Sequence, residues 1–177
     1  MGNDNRILKV GKGPIEIRDA LPEDFPEVLR MNQESVHFLS PLTMEKLERL
    51  DGESDFHKVA LLDGKVAAFC LAFREGANYE SVNYQWFLEN YEKFLYVDRV
   101  VVDLSAQSVG LGKVLYEEVF RYAKESRVPI VTAEIDIQPP NPVSLKFHEK
   151  FGFTEVGRQE VYDGEKVVSL QAARIKS

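Results

Sequence analysis

The chain has 177 residues, of which 44% are apolar and 29% are charged, a composition typical of a globular protein rather than a disordered or collagen-like chain. The formal net charge is −7 and no basic patch is visible in the sequence, so we expect no nucleic-acid partner. The single cysteine, Cys70, excludes an intrachain disulfide and a cysteine-rich metal centre, and we expect no bound metal.

The apolar runs of the sequence bear on the cellular location of the protein, and the lack of a linker bears on its number of domains. The longest apolar stretch, 59–73, is interrupted by Asp63, Gly64 and Lys65 and is shorter than the roughly 20 residues that a membrane helix needs, so we expect no membrane partner. The first residues lack the apolar stretch of a signal peptide, which favours the cytoplasm. No repeat or linker divides the chain, and we expect a loose lead-in over 1–13 followed by one domain over 14–177.

The first half of the chain predicts strands and helices in succession. A short strand is expected over 15–18, and apolar residues at helical spacing then predict a helix through 25–32. A second helix is expected over 43–52, with Thr43 as its N-cap. Two β-rich runs flank Asp63-Gly64, a dipeptide that strongly favours a tight hairpin. An aromatic-rich stretch follows over 79–91.

The second half predicts strands joined by crossover helices. Strands are expected over 94–102, 130–137, 153–162 and 166–175, and helices over 110–127 and 143–151. Crossover helices require some parallel pairing, whereas hairpins require antiparallel pairing. The sequence therefore predicts an α/β fold with a mixed, mostly antiparallel twisted sheet of about six or seven strands and helices on both faces.

The segment from Val100 to Lys113 carries the clearest chemical signal. A strand runs into a loop that contains Gly110 and Gly112 and opens a helix. Glycines let backbone N–H groups approach a ligand, and a helix N-terminus carries partial positive charge, so the loop suits a phosphate or diphosphate. The alternative is a tight turn without a ligand.

Two common nucleotide loops do not fit this segment. A P-loop would need glycine at Gln107 and Ser or Thr at Val114. A dinucleotide-binding fingerprint would need a third glycine at Leu115. Nucleoside triphosphate and NAD are therefore poor candidates.

Two motifs together resemble the GNAT superfamily of acyl-CoA-dependent N-acetyltransferases. They are Gln-x-x-Gly-x-Gly at 107–112 and Asn-x6-His-x3-Gly-Phe at 141–153, and the predicted element order is similar to that family from about residue 14 to 175. The resemblance implies the GNAT fold, acetyl-CoA as the cosubstrate and an amine as the acceptor.

The resemblance also assigns residues to coenzyme A. It implies that backbone N–H groups of 108–113 bind the diphosphate and that the pantetheine arm pairs with the strand ending at Val102, where a backbone N–H faces the thioester carbonyl. The residues so implied are Val100, Val101, Val102, Gln107, Ser108, Val109, Gly110, Leu111, Gly112, Lys113, Asn141 and Phe147. Asn141 either contacts the arm or fixes the loop. Many relatives carry Arg or Lys where this chain has Ser108 and Val109, so we expect phosphate binding to depend on backbone amides, Lys113 and Arg99.

His148 stands where the family usually has a tyrosine that protonates the departing CoA thiolate. Because histidine titrates near 6.5 and a thiol near 8.5, an imidazolium would donate this proton downhill, whereas neutral imidazole would only offer a hydrogen bond. The alternative is that His148 fills the helix face beside Phe147 and Phe151.

The attacking amine needs a base, and two carboxylates are candidates. Strand alternation places Asp98 on the same face as Val100 and Val102, close to the expected thioester. Glu134 on the next strand is the second candidate, and either carboxylate acts directly or through water. The alternative for each is a structural ion pair.

An acidic and aromatic segment predicts the acceptor site. Residues 75–93 contain four glutamates and one lysine among five aromatic side chains, a combination that favours an ammonium group. The expected acceptor residues are Tyr79, Tyr84 and Trp86, with Asn32, His37 and Phe38 on the opposite wall if the family plan holds. Packing of Trp86 and Phe87 on the sheet is the alternative.

The predicted function is transfer of an acetyl group from acetyl-CoA to a primary amine of a small molecule or peptide in a ternary complex, without an acyl-enzyme on Cys70. The first alternative is a non-catalytic acyl-CoA-binding or regulatory module of the same fold. The second is a purely structural or interaction domain. A homodimer is compatible with each of these functions.

Overall fold

The computed structural model describes residues 5–10, 13–37 and 39–177. Its strands are β1 (Arg6–Val10), β2 (Gly13–Asp19), β3 (Phe56–Leu62), β4 (Lys65–Arg74), β5 (Leu95–Val102), β6 (Ile130–Gln138), β7 (Thr154–Val161) and β8 (Lys166–Arg174). Its helices are α1 (Phe25–Glu34), α2 (Met44–Glu53), α3 (Val82–Asn90), α4 (Leu111–Glu125) and α5 (Pro142–Lys150).

One sheet joins the eight strands of the described chain in the order β1-β2-β3-β4-β5-β6-β8-β7. β5 pairs with β6 in parallel, and every other register determined is antiparallel. Consecutive buried residues along β3 and β4 show that both faces of these strands are covered. The mixed, mostly antiparallel α/β fold predicted from the sequence is confirmed.

β1 is the strand that the sequence does not predict. It lies within the expected lead-in and pairs antiparallel with β2, from Arg6 opposite Ile17 to Val10 opposite Gly13. This strand is short and lies at the edge of the sheet, so its own residue pattern carries little signal and its pairing with β2 creates it. Residues 1–4 and 11–12 of the lead-in lie outside the described part.

Contacts divide the chain into two compact units. The first is Met1–Ala72 with Arg99–Val119, and the second is Phe73–Asp98 with Phe120–Ser177. One domain spanning residues 14–177 stays a prediction.

In the first unit, two helices cover an apolar core. Phe25, Val28 and Met31 of α1 pack with Leu47 of α2 against apolar residues of β3 and β4 and Val101 of β5. The predicted cap of α2 is confirmed, because Thr43 Oγ1 accepts a hydrogen bond from the Lys46 N–H at 3.2 Å. The predicted hairpin is also confirmed, with Asp63 and Gly64 at φ of 52° and 77° between β3 and β4.

In the second unit, an unpredicted helix packs its aromatic residues into the core. α3 occupies the aromatic-rich stretch and is capped by Ser81, whose hydroxyl accepts from the Tyr84 N–H at 3.4 Å. The ring of Tyr84 lies 5.8 Å from that of Phe94 and 5.6 Å from that of Tyr96, measured between centroids. The apolar residues of this helix lie on several of its sides, including the exposed Val82, so helical periodicity does not reveal it.

The parallel pairing of β5 with β6 is short. It joins Leu95 to Val131 and Tyr96 to Thr132, although β5 continues through Asp98 and β6 through Glu134. The register of β5 and β6 shows no ladder pair beyond Tyr96 and Thr132. The carboxylates of Asp98 and Glu134 lie beyond this point.

Candidate active site

The loop between β5 and α4 is built by backbone turns. Asp103 Oδ1 accepts a hydrogen bond from the Ser105 N–H at 2.9 Å, and the Ala106 N–H donates to the Asp103 carbonyl at 2.9 Å. Gly110 then has φ of +88°, a conformation that a side chain disfavours, and the position of its missing Cβ is open space. The space beside the Gly110 backbone, immediately before α4, is therefore open.

The start of α4 supplies hydrogen-bond donors. The first turn of a helix leaves backbone N–H groups without intrahelical acceptors, and here these belong to Leu111, Gly112 and Lys113. α4 is 15 residues long, which gives its N-terminus a favourable field for an anion. Val109 differs from the expectation, because its N–H already donates to the Ala106 carbonyl at 3.2 Å. The helix start, with an open glycine before it, fits the diphosphate of coenzyme A.

Basic side chains contribute less to this loop than expected. Lys113 Nζ lies 3.5 Å from Glu117 one turn along α4, with both side chains exposed. Arg99 is buried, and its guanidinium donates to Asn32 Oδ1 at 2.9 Å and to the Ser40 carbonyl at 3.1 Å. Arg99 therefore holds the chain after α1, and these contacts do not favour the phosphate role that the sequence predicts for it.

An ion pair connects α1 to the beginning of the loop. The Arg30 guanidinium contacts Asp103 Oδ2, and it also donates to Glu27 and Glu34. The hydrogen bond from Arg30 and those from Ser105 lower the pKa of Asp103 to about 2. Asp103 is thus a fully ionised anchor at neutral pH. Sequence reasoning misses this pair, because its members are far apart in the chain.

Strand alternation along β5 is as expected. Asp98, Val100 and Val102 are half-buried, whereas Arg99 and Val101 between them are buried. The three half-buried residues share the face on which the sequence predicts the thioester.

The residues expected on the opposite wall have different surroundings. Asn32 is buried, and its Nδ2 donates to the Ser40 carbonyl at 3.1 Å while its Oδ1 accepts from Arg99. His37 is exposed in the turn after α1. Phe38 lies outside the described residues. The contacts of Asn32 point to a structural role in holding the turn.

A cluster of partly buried carboxyl groups lies in the second unit. Tyr79 donates its hydroxyl hydrogen to Asp98 Oδ1 at 2.5 Å. The negative charge of Asp98 acts on Glu134 of β6. Glu134 is also near the Tyr96 hydroxyl and the Asn83 amide. Glu134 Oε2 and Tyr96 Oη are buried, and neither has a hydrogen-bond partner among the described residues.

The environment of Glu134 sets its protonation. Burial and then repulsion from Asp98 raise its pKa from 4.5 to about 8, although interactions with Tyr96 and Asn83 oppose this rise. Burial also raises the pKa of Tyr96 well above 10, so its hydroxyl keeps its proton. A buried carboxyl that titrates near neutral pH is typical of a catalytic acid or base.

Tyr96 and Asn83 are neighbours of Glu134 that sequence reasoning misses. Alternation along β5 places Tyr96 on the Asp98 face, and this is the signal that could find it. Asn83 lies on α3, and without this helix its place beside β6 has no sequence signature.

His148 lies in a packed and apolar environment on α5. Its Nδ1 lies 2.8 Å from the Ser144 carbonyl oxygen, and an oxygen of this kind only accepts, so Nδ1 carries the proton. Its ring contacts those of Phe153 and Phe147, with centroids 5.0 and 5.4 Å apart. Burial lowers the pKa of His148 below 6.5, although the bond to Ser144 opposes this. A neutral ring whose N–H is already donated favours the packing alternative over proton donation to a thiolate.

Asn141 fixes the loop before α5. Its Oδ1 accepts from the Ser144 N–H at 3.2 Å as the N-cap of the helix, and its own N–H donates to the Asp136 carbonyl at 3.0 Å. Phe147 is half-buried, with its ring 5.3 Å from that of Phe151.

Tyr84 and Trp86 have packing roles. The Tyr84 hydroxyl donates to the Arg74 carbonyl at 2.6 Å and accepts from the Ala77 N–H at 3.0 Å, so the side chain is buried and fully bonded. The indole of Trp86 lies against Gly157 of β7. These contacts indicate a packing role for Tyr84 and favour the packing alternative for Trp86.

Two further features of the described residues concern metal binding and membranes. Within them, no group of three or more His, Cys, Asp or Glu side chains is arranged to hold a metal ion. None of the helices described here is long and apolar enough to cross a membrane.

Comparison with known proteins relates this geometry to a family. The sequence matches the acetyltransferase (GNAT) family over residues 16–153. A search of curated protein sequences finds no match.

Solved structures with the same fold are similar to nearly the whole chain. The ribosomal-protein-S18-alanine N-acetyltransferase from Escherichia coli has a TM-score of 0.71 and 19% identity, covering 92% of this chain and 95% of that one. Ard1 from Thermoplasma volcanium has a TM-score of 0.77 and 18% identity, covering 92% and 99%. The NatC complex bound to Gag peptide and CoA matches with a TM-score of 0.72 and 13% identity, covering 92% and 99%.

The fold and the family match identify the class of protein, which is an acyltransferase. The chain belongs to the acetyltransferase (GNAT) family, whose acyl donor is acetyl-CoA.

Proposed function

We propose that the protein transfers an acetyl group from acetyl-CoA to a primary amine of a small molecule or peptide, by direct attack within a ternary complex. The observation that carries this proposal is the buried Glu134 carboxyl, whose pKa is raised to about 8 beside Asp98 and Tyr96. Family membership by itself does not require a group of this kind.

Glu134 is the proposed base. A carboxyl with a pKa about one unit above neutral pH is roughly one-tenth ionised at pH 7, and its ionised form is a far stronger base than an ordinary carboxylate. Its unpartnered Oε2 has a free acceptor site for the amine proton, received directly or through a water molecule. Asp98 is the second carboxylate, and its hydrogen bond from Tyr79 holds it in place.

The remaining residues bind and orient the reactants. Bound acetyl-CoA supplies a thioester, which is an activated acetyl group. The first-turn amides of α4 after Gly110 are proposed to hold its diphosphate. The backbone of β5 near Val102, which lies beyond the last pair of β5 with β6, is proposed to bind its thioester carbonyl. Binding both reactants together contributes to the rate through proximity. His148 has no acid role in this proposal, because its N–H is donated to Ser144.

The acceptor class is tested with a panel of amines. The panel contains N-terminal peptides, lysine peptides, amino acids, polyamines and the amino-acid analogue phosphinothricin, since structural neighbours are named for protein and small-molecule acceptors. We expect free CoA thiol to appear with at least one acceptor and to depend on Glu134. Binding of acetyl-CoA without thiol release from any amine would favour the non-catalytic acyl-CoA-binding module, and no binding would favour an interaction domain. A cytoplasmic location and a homodimer stay predictions of the sequence.

A further inference from the structure

Asp103, the residue after β5, is bonded through its backbone and through both oxygens of its carboxylate. Its N–H donates to the Ala67 carbonyl of β4 at 2.8 Å, and its carbonyl accepts from the Ala106 N–H at 2.9 Å. Its Oδ1 accepts from the Ser105 N–H at 2.9 Å and from the Ser105 hydroxyl, and its Oδ2 contacts the Arg30 guanidinium. One carboxylate oxygen therefore builds the turn, and the other joins this turn to α1.

Backbone hydrogen bonds connect this turn to the start of α4. The Ala106 carbonyl accepts from the Val109 N–H at 3.2 Å, and Gly110 follows Val109 directly. The Gly110 carbonyl then accepts from the Val114 N–H at 3.2 Å, in the first turn of the helix. The placement of Asp103 therefore bears on where the first-turn amides of α4 lie.

Arg30 is held for this contact by its own helix. Its guanidinium donates to Glu27 at 3.0 Å and to Glu34 at 2.9 Å, which lie about one turn before and after it on α1. The Arg30 side chain is 43% exposed, and an isolated ion pair at such a position contributes little to stability. Here the guanidinium is ordered by a network of carboxylates, and the Asp103 side chain is only 12% exposed, so this pair contributes more than an isolated one.

The pair also balances a charge that opposes the proposed ligand. Asp103 places a carboxylate at the beginning of the loop that is proposed to bind a diphosphate, and like charges at short range repel each other. The Arg30 guanidinium brings the opposite charge into contact with this carboxylate. Loss of Arg30 would leave the negative charge of Asp103 unbalanced at the loop.

We propose that Arg30 is a positioning residue for acetyl-CoA, because its pairing with Asp103 holds the loop before α4 in shape and offsets the charge of this carboxylate. The proposal rests on the diphosphate loop of the proposed function and is independent of Glu134. Arg30 acts through Asp103 rather than by touching the ligand.

The first test is isothermal titration of the free protein with acetyl-CoA. Arg30→Met keeps an unbranched side chain on α1 and removes its charge, and we expect the Kd for acetyl-CoA to rise about tenfold. Glu34→Gln is the matched control, because it removes one partner of Arg30 within α1 and leaves Asp103 in place. We expect its Kd to stay within about twofold of wild type.

A double-mutant cycle tests whether Arg30 acts through Asp103. Asp103→Asn keeps an oxygen that accepts from Ser105 and removes the carboxylate charge. In this background we expect Arg30→Met to change the Kd by less than about threefold. A loss of about tenfold in both backgrounds would overturn the proposal, since Arg30 would then act independently of Asp103.

A shorter acetyl donor locates the effect. S-Acetylpantetheine has the thioester and the pantetheine arm of acetyl-CoA but no diphosphate. With acetyl-CoA we expect Arg30→Met to raise KM about tenfold and to leave kcat unchanged, whereas with S-acetylpantetheine we expect kcat/KM to stay at the wild-type value. Equal losses with both donors would indicate a general distortion of the protein and would contradict the proposal.

These outcomes separate failure of the Arg30 role from failure of the proposed function. If wild type binds acetyl-CoA and Arg30→Met binds it equally well, Arg30 has no positioning role. If Glu134→Gln keeps full activity, the base is wrong, and the titrations still decide the role of Arg30 because they need neither a base nor an amine. If wild type does not bind acetyl-CoA, both the acetyl transfer and the role of Arg30 are wrong.

Discussion

Trp86 of α3 occupies the space that a side chain at Gly157 of β7 would need. A Cβ at Gly157 would lie 2.7 Å from Trp86 Cζ2, 3.2 Å from Cη2 and 3.4 Å from Cε2. Such distances require the indole or the strand to move, so the glycine lets the helix approach the sheet closely.

We predict that Gly157→Ala lowers the free energy of unfolding by about 1–3 kcal/mol, the usual cost of overpacking a filled site. Urea unfolding measures this loss. Gly52→Ala in α2 is the matched control, because its Cβ would meet nothing within 4 Å and alanine favours a helix, so we expect no loss of stability. Trp86→Leu in the Gly157→Ala background is expected to restore part of the loss, and a loss independent of residue 86 would contradict the contact.

The raised pKa of Glu134 predicts a stability that falls as pH increases. The folded protein holds this proton up to about pH 8, whereas the unfolded chain releases it near 4.5. The folded state therefore binds more protons between these values, and the stability contributed by the protonated carboxyl is complete below pH 4.5 and lost as pH rises through 8. The loss is on the order of 5 kcal/mol for a shift of this size.

Glu134→Gln removes this ionisation, so we expect its Tm relative to wild type to increase from pH 5 to about pH 8 and then to level off. The exposed Glu89→Gln is the control, with a difference that stays constant across the same range. A constant difference in Glu134→Gln as well would show that the buried carboxyl does not titrate in this range.

The same ionisation is expected to control activity. We predict that kcat/KM rises with pH and levels off near pH 8, and that Glu134→Gln lowers it by roughly 10²–10⁴-fold, the usual contribution of a general base. Asp98→Asn removes a neighbouring negative charge, so it is expected to move the ionisation to lower pH. Acceptors with different amine pKa values identify the enzyme's own ionisation, because that limb does not move with the acceptor. A limb that follows the acceptor alone would assign it to the substrate.

The sequence predicts this fold where local signals and tertiary contacts agree. The Asp63-Gly64 hairpin and the Thr43 cap depend on neighbouring residues, and both are confirmed. β1 and α3 are missed for the opposite reason: β1 becomes a strand through its pairing with β2, and the apolar residues of α3, which include the exposed Val82, do not form one stripe at helical spacing.

The candidate site, like the fold, is predicted only in part from the sequence. Strand alternation places Asp98 near the carboxyl cluster, and the choice of Glu134 needs only the neighbouring strand. The raised pKa of Glu134 depends on burial and on Asn83 and Tyr96, which come from α3 and β5. A residue type at a given position does not specify its burial. Arg99 illustrates this limit, since a cation expected at a phosphate is instead bonded to Asn32 and Ser40.

Gly110 tests the proposed diphosphate loop. We predict that Gly110→Ala weakens acetyl-CoA binding about tenfold, because a side chain strains the φ of +88° and displaces the start of α4. Isothermal titration with acetyl-CoA measures the change. Gly76→Ala is the matched control, since Gly76 has φ of +90° and equally open space in another loop. We expect it to lose similar stability without losing affinity, and equal affinity losses in both variants would contradict a specific role for the loop.

His148 tests whether an acid assists departure of the thiol. An acid must be protonated, so a catalytic His148 would give a rate that falls as pH rises through its pKa, which burial holds below 6.5. The structure has a neutral ring instead, with its N–H donated to Ser144 and two phenylalanine rings against it. We therefore predict that His148→Phe keeps kcat within about threefold, less than the loss typical of a general acid, with an unchanged pH profile. The measurement is kcat across pH 5.5–9.5, with the Tm confirming that the variant is folded. A hundredfold loss of kcat in a folded variant, with no change in KM, would instead assign the proton to His148.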